Sequence, residues 1–121
     1  MATSDGEPGR SFTREEAERM LPLVRAIVRD LVVHHRVLVD RLSAYEQVVE
    51  ARRRGAALPE GFDAKAAEGE IRSLHDEFAS SVRELGRLGV VCSDPGRGLV
   101  EFPAPGGRLA WKLGDEHVGA N

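Results

Sequence analysis

From Ala17 to Val49 the apolar residues keep a strict 4-3 rhythm: Ala17, Leu21, Val24, Val28, Leu31, Leu38, Leu42, Tyr45 and Val49, with His35 filling the one open step. That rhythm returns to the same edge of an α-helix every two turns and is the seam of a coiled coil. A helix from Arg14 to Arg54 would be about 60 Å long at 1.5 Å per residue. A chain of 121 residues has no globule that thick, so the helix needs a companion along its length.

The start of this helix is written at Thr13, where Glu16 three residues on completes a capping box and Phe12 and Ala17 occupy the staple positions. Pro22 falls inside the pattern. It deletes one backbone bond and crowds the preceding turn, but the seam keeps its phase through Leu21 and Val24, so a kink is expected rather than a stop. The chain turns between Gly55, which suits a helix end, and Asp63, which suits the next helix start. A second helix over about 63–88 carries its own seam of Ala67, Ile71, Leu74, Phe78, Ser81, Leu85 and Leu88, closed by Gly89. The two form an antiparallel hairpin. With Arg54 and Asp63 as turning points, facing residue numbers add to about 117, setting Leu42 near His75 and His35 near Ser81.

After Gly89 the period shortens to two. Residues 90–93, 98–102 and 108–113 read as strands joined by Asp94-Pro95-Gly96-Arg97 and by Pro103-Ala104-Pro105-Gly106-Gly107. Val100 and Phe102 share one face of their strand, as do Leu109, Trp111 and Leu113 of theirs. The expected fold is therefore α+β: a long coiled-coil-like antiparallel helical hairpin followed by a small three-stranded antiparallel meander. Residues 12–121 form one domain, behind a flexible N-terminal tail over 1–11.

The first helix carries more apolar surface than one partner covers. Met20, Ile27 and Val48 flank the seam on one side, Val32 and Val39 on the other. A homodimer in which two hairpins make a four-helix bundle is the economical solution. Composition agrees with an interaction module. Lys and Arg number 17 against 20 Asp and Glu, for a net charge of -3, so no basic field holds a phosphate backbone. Five of the six aromatics go to packing, leaving only Phe62 for stacking, and nucleic acid is not expected as a partner. One cysteine, Cys92, makes no internal disulfide, which fits a reducing cytoplasm. The polar start, with Asp5 and Glu7, lacks the apolar stretch of a secretory signal, and no run is long enough to span a bilayer, so a soluble protein without membrane contact is expected.

Four segments point to a known family: Phe12-Thr13-x-x-Glu16-Ala17 with Leu21-Pro22-Leu23-Val24; Leu88-Gly89-Val90; Gly98-Leu99-Val100-Glu101-Phe102-Pro103; and Trp111-Lys112-Leu113-Gly114. On these residues the chain resembles the bacterial family known as domain of unknown function 2203. The resemblance supports the fold and implies no activity. Members usually continue past the third strand into a Trp-His segment and an Arg-containing tail, and usually carry Cys before the strand Trp. This chain has Ala110 there and stops at Asn121, so the resemblance implies a truncated or divergent member.

No catalytic constellation stands out, and neither Gly96-Arg97-Gly98 nor Gly106-Gly107 leads into the Gly-Lys-Ser/Thr of a phosphate-binding loop. His35, the polar seam residue, suits a role in fixing register. Arg25, Arg29 and Arg36 read as a solvated face, and Arg52 to Arg54 as helix-end charges. Asp30, His34, His35 and His75 are the candidate ligands for a divalent metal; Asp30 and His34, four apart on one helical face, are too few by themselves, the hairpin estimate sets His75 nearer Leu42 than His34, and no cofactor is predicted. Glu101, Arg108, Lys112 and His117, around Trp111, are the candidate contacts for a ligand or a protein partner. The function expected is that of a non-enzymatic homodimeric helical interaction or scaffold module. The alternative is a small metal- or ligand-binding protein or enzyme with a composite site at the dimer interface.

Overall fold

Thr13 caps as its sequence asks: its hydroxyl accepts the Glu16 amide at 3.1 Å while the Glu16 carboxylate accepts the Thr13 amide at 2.9 Å. From this cap helix α1 runs over Arg14–Arg53 in a computed structural model that describes residues 10–120. Most of the tail expected over 1–11 falls on residues 1–9, outside the described residues. Pro22 sits on the exposed side of α1, and the helix continues through it. Helix α2, Ala64–Arg87, begins on Asp63, whose side chain accepts the Ala66 amide at 3.1 Å. Gly55 and Gly89 follow the two helix ends with φ of 95° and 86°, the left-handed backbone that closes a last turn without a Cβ clash.

The hairpin register differs from the symmetric estimate by about one helical turn. His34 meets Glu77, His35 meets Phe78, Arg41 meets Glu70 and Tyr45 meets Glu68. Leu42 therefore faces the turn before His75 rather than His75 itself. The connector is the cause. Phe62 folds back so that its ring lies 6.2 Å from that of Tyr45, and α2 starts well short of the end of α1.

The meander follows: β1 Val91–Asp94, β2 Leu99–Ala104 and β3 Gly107–Lys112, all antiparallel, extended by a two-residue strand β4, Gly119–Ala120, beside β3. Cys92 pairs with Val100, Val100 with Trp111 and Phe102 with Leu109, which puts the apolar set on one face. That face lies on the proximal half of the hairpin. Val24, Val28 and Leu31 of α1, Leu85 of α2, and Val100, Phe102 and Trp111 of the sheet are all fully buried in one cluster. Phe12 closes its end, edge-on to Phe102 at 5.3 Å, with its amide donating to the Pro103 carbonyl at 2.7 Å.

Gly98 shows how close the sheet comes to α1. With φ of +67°, a Cβ there would stand 2.9 Å from Leu113 Cβ and 3.0 and 3.1 Å from the Val32 and Val28 methyls. In the proximal half, then, the chain's own sheet supplies the second neighbour that the wide stripe demands, and Ile27 and Val32 are buried. The distal half has no such cover. From Val39 through Ser80 no residue is buried, although Leu42, Tyr45, Val49, Ile71 and Leu74 continue both seams.

Candidate functional site

His34 and His35 lie where the hairpin leaves the packed body and continues without the sheet over it. The register of the hairpin brings Glu77 to His34, with Nε2 3.7 Å from Oε1, and His34 Nδ1 is buried without a hydrogen-bond partner. Asp30, one turn before, is exposed, and His75 points to solvent beside Asp76 at 3.9 Å. Among the described residues no three His, Cys, Asp or Glu side chains form a cluster fit for a metal ion. Asp30, His34, His35 and His75 are thus not brought together as one ligand set within the chain.

His35 sits differently. Its ring lies 5.4 Å from Phe78 at a tilt of 45°, and its other flank faces the β1–β2 turn, where a Cβ on Gly96 would stand 3.7 Å from the imidazole. Beside it a groove of about 200 Å³ opens between α1 and that turn, lined by Val32, His35, Arg36, Val39, Asp40 and Gly96. Helical spacing explains the lining, since positions i, i+3, i+4, i+7 and i+8 from Val32 fall on one face. The turn that overhangs it is held by Asp94, which accepts the Arg97 amide at 3.4 Å and pairs with its guanidinium at 3.7 Å.

The charged cluster expected around Trp111 divides in two. Glu101 and Arg108 pair at 2.5 Å on the outer face of the sheet and line a groove of about 190 Å³ with Val91, Pro103 and Gly107. Lys112 stands on that outer face as well, opposite Leu99, its amide donating to Asp115 at 3.2 Å. His117 lies instead against α1, 3.4 Å from Glu18.

Around Glu18 the structure holds a feature that periodicity does not announce. Val118 is 1% exposed; its amide donates to Glu18 Oε2 at 2.7 Å and its carbonyl accepts from Arg14. Arg14 and Glu18, one turn apart on α1, grip the backbone of a single residue of the C-terminal segment from both sides. The amide holds the Glu18 carboxyl below its ordinary 4.5, with burial opposing and His117 and Arg14 assisting. The one signal in the sequence is Val118 itself, an isolated apolar residue in a polar stretch.

The remaining candidates have packing roles. Arg25 lies over the buried Trp111 ring at 5.6 Å, whose Nε1 donates to the Asp115 carbonyl at 2.9 Å. Arg53 and Arg54 pair with Glu50 at the end of α1. Burial pushes the Cys92 thiol up from 9.0, so it is a weak nucleophile at neutral pH. No helix among the described residues is long and apolar enough to cross a membrane.

A family model described as Uncharacterized conserved protein (DUF2203) matches residues 10–120, nearly the whole chain. No curated protein and no solved structure matches it.

Proposed function

We propose, proceeding from the fact that this chain belongs to the DUF2203 family of uncharacterized conserved proteins, that it is a non-enzymatic helical interaction module acting as a homodimer in a reducing, cytoplasmic setting. One observation carries this reading: the distal half of the hairpin, Val39 through Ser80, continues two apolar seams without burying a single residue. Each such side chain retains apolar surface worth about 25 cal/mol per Å² once covered. A second hairpin laid along the first covers the same patch on both copies and makes a four-helix bundle, as a two-fold contact requires. The sheets then stand clear of the contact, with the Glu101 and Arg108 face open to a protein partner.

Light scattering and native mass spectrometry test this at micromolar concentration. The expected mass is twice the chain's 13.2 kDa, and Leu42→Glu combined with Ile71→Glu halves it while leaving the far-ultraviolet circular dichroism unchanged. A wild-type protein that stays monomeric through that range overturns the reading.

A second reading rests on the orphaned Nδ1 of His34 beside Glu77: a divalent metal held between two copies, with Asp30, His34, His35 and His75 as the available ligands. It predicts metal retained in the native mass spectrum and a melting temperature that rises on adding zinc or manganese. Purified protein free of metal, with an unmoved transition, removes its basis.

A further inference from the structure

We infer that the groove between α1 and the β1–β2 turn is a binding site for a small amphipathic zwitterion, an α-amino acid with a branched apolar side chain. Every element of the site comes from one chain, and its rim residues Val39 and Asp40 stand at the edge of the distal stretch assigned to self-association. Three observations carry it. First, the groove holds two opposite charges a turn apart, Arg36 and Asp40, that pair neither with each other nor with any other described side chain, although ion pairs form readily elsewhere on both helices. A guanidinium fork suits a carboxylate, and a carboxylate suits an ammonium. Second, the wall between them is apolar: Val32 is buried at the base, and Val39 is 47% exposed at the rim. Third, His35 is clamped from behind by Phe78 yet makes no hydrogen bond within the described chain, so its ring nitrogens remain for a ligand.

Size selects the ligand class. At about 200 Å³ the groove falls below the range of roughly 300–1,000 Å³ that drug-sized ligands occupy, which leaves room for a single amino acid and little more. Gly96 forms the roof, so a side chain there would narrow the groove from above, against the His35 ring. The polar seam position is thereby accounted for: an apolar residue at 35 would pack equally well on Phe78 but offer the groove no donor or acceptor.

The test is a titration of the full chain followed by ¹H–¹⁵N correlation spectra, with L-leucine as probe. Saturable shifts are expected at Val32, His35, Arg36, Val39 and Gly96. Isocaproate, which lacks the ammonium, and isoamylamine, which lacks the carboxylate, are each expected to bind roughly tenfold more weakly, the ratio that one lost charge-assisted hydrogen bond supplies. Arg36→Gln and Asp40→Asn are expected to weaken L-leucine to the same extent. Both sites are exposed, and light scattering on the same samples should return the wild-type mass, which separates failure of this site from failure of the dimer. Absence of saturable shifts up to about 20 mM, already a ligand efficiency too poor for a site, overturns the inference. So does equal binding of isoamylamine.

Discussion

At the scale of single residues the molecule depends on a few positions where backbone and side chain leave no choice. Gly98→Ala forces a Cβ to within 3.1 Å or less of three side chains at a φ of +67°, and should cost at least about 1–3 kcal/mol in urea unfolding. Gly106 has a similar φ but nothing within 4 Å, so alanine there should cost less, which separates backbone strain from the clash. Glu18 makes the C-terminal clamp pH-dependent. Because its folded carboxyl titrates below the ordinary 4.5, its contribution is present above that value and is lost as pH falls through the depressed one. Unfolding followed between neutral and acid pH should show that loss in the wild type, and Glu18→Gln should remove it. A Glu18→Gln protein with the wild-type acid profile would mean that the Val118 amide does not set this carboxyl.

At the scale of elements, the same seam has two energetic halves. Leu31 and Leu42 both lie on the seam of one heptad pattern, but Leu31 is fully buried and Leu42 is 38% exposed. Leu31→Ala should cost about 2–5 kcal/mol and Leu42→Ala, in a sample dilute enough to be monomeric, under about 1 kcal/mol, both read from denaturant midpoints. Caps, heptads and strand alternation made the hairpin and the meander legible, because each rests on a local rule with a fixed period. The one-turn offset between the helices was not legible, since it depends on how Phe62 of the connector lies back on Tyr45. Of the site, His35 stood out as the one polar step in the seam, and His34 as a candidate ligand one turn from Asp30. Their neighbours Glu77 and Gly96 did not, because helix register and sheet placement bring them there. The Arg14, Glu18 and Val118 clamp escaped for the same reason: it joins residues 104 and 100 positions apart, where periodicity carries no information.

At the scale of the whole molecule, stability is concentrated at one end. The proximal half of the hairpin and the sheet share one core with Phe12 and Val118, while the distal arm carries its seams uncovered. Hydrogen exchange should follow that division, with slow amides from Val24 to Leu31 and in β2 and β3, and fast ones beyond Leu42. Raising protein concentration should slow the distal amides selectively if two arms pack together, and a distal arm equally fast at all concentrations would argue against it. The placement of the core also bears on synthesis. The ribosome releases α1 and α2 first, and a helical hairpin forms from local contacts almost at once. Val24, Val28 and Val32, however, are covered only when the strands that lie over them follow, and the grip on Val118 closes last of all. The nascent chain therefore passes through a stage in which its stickiest surface is finished and waiting. A substitution that slows the closing of the sheet would lengthen that stage, lowering the yield of soluble protein by more than its effect on the folded state suggests.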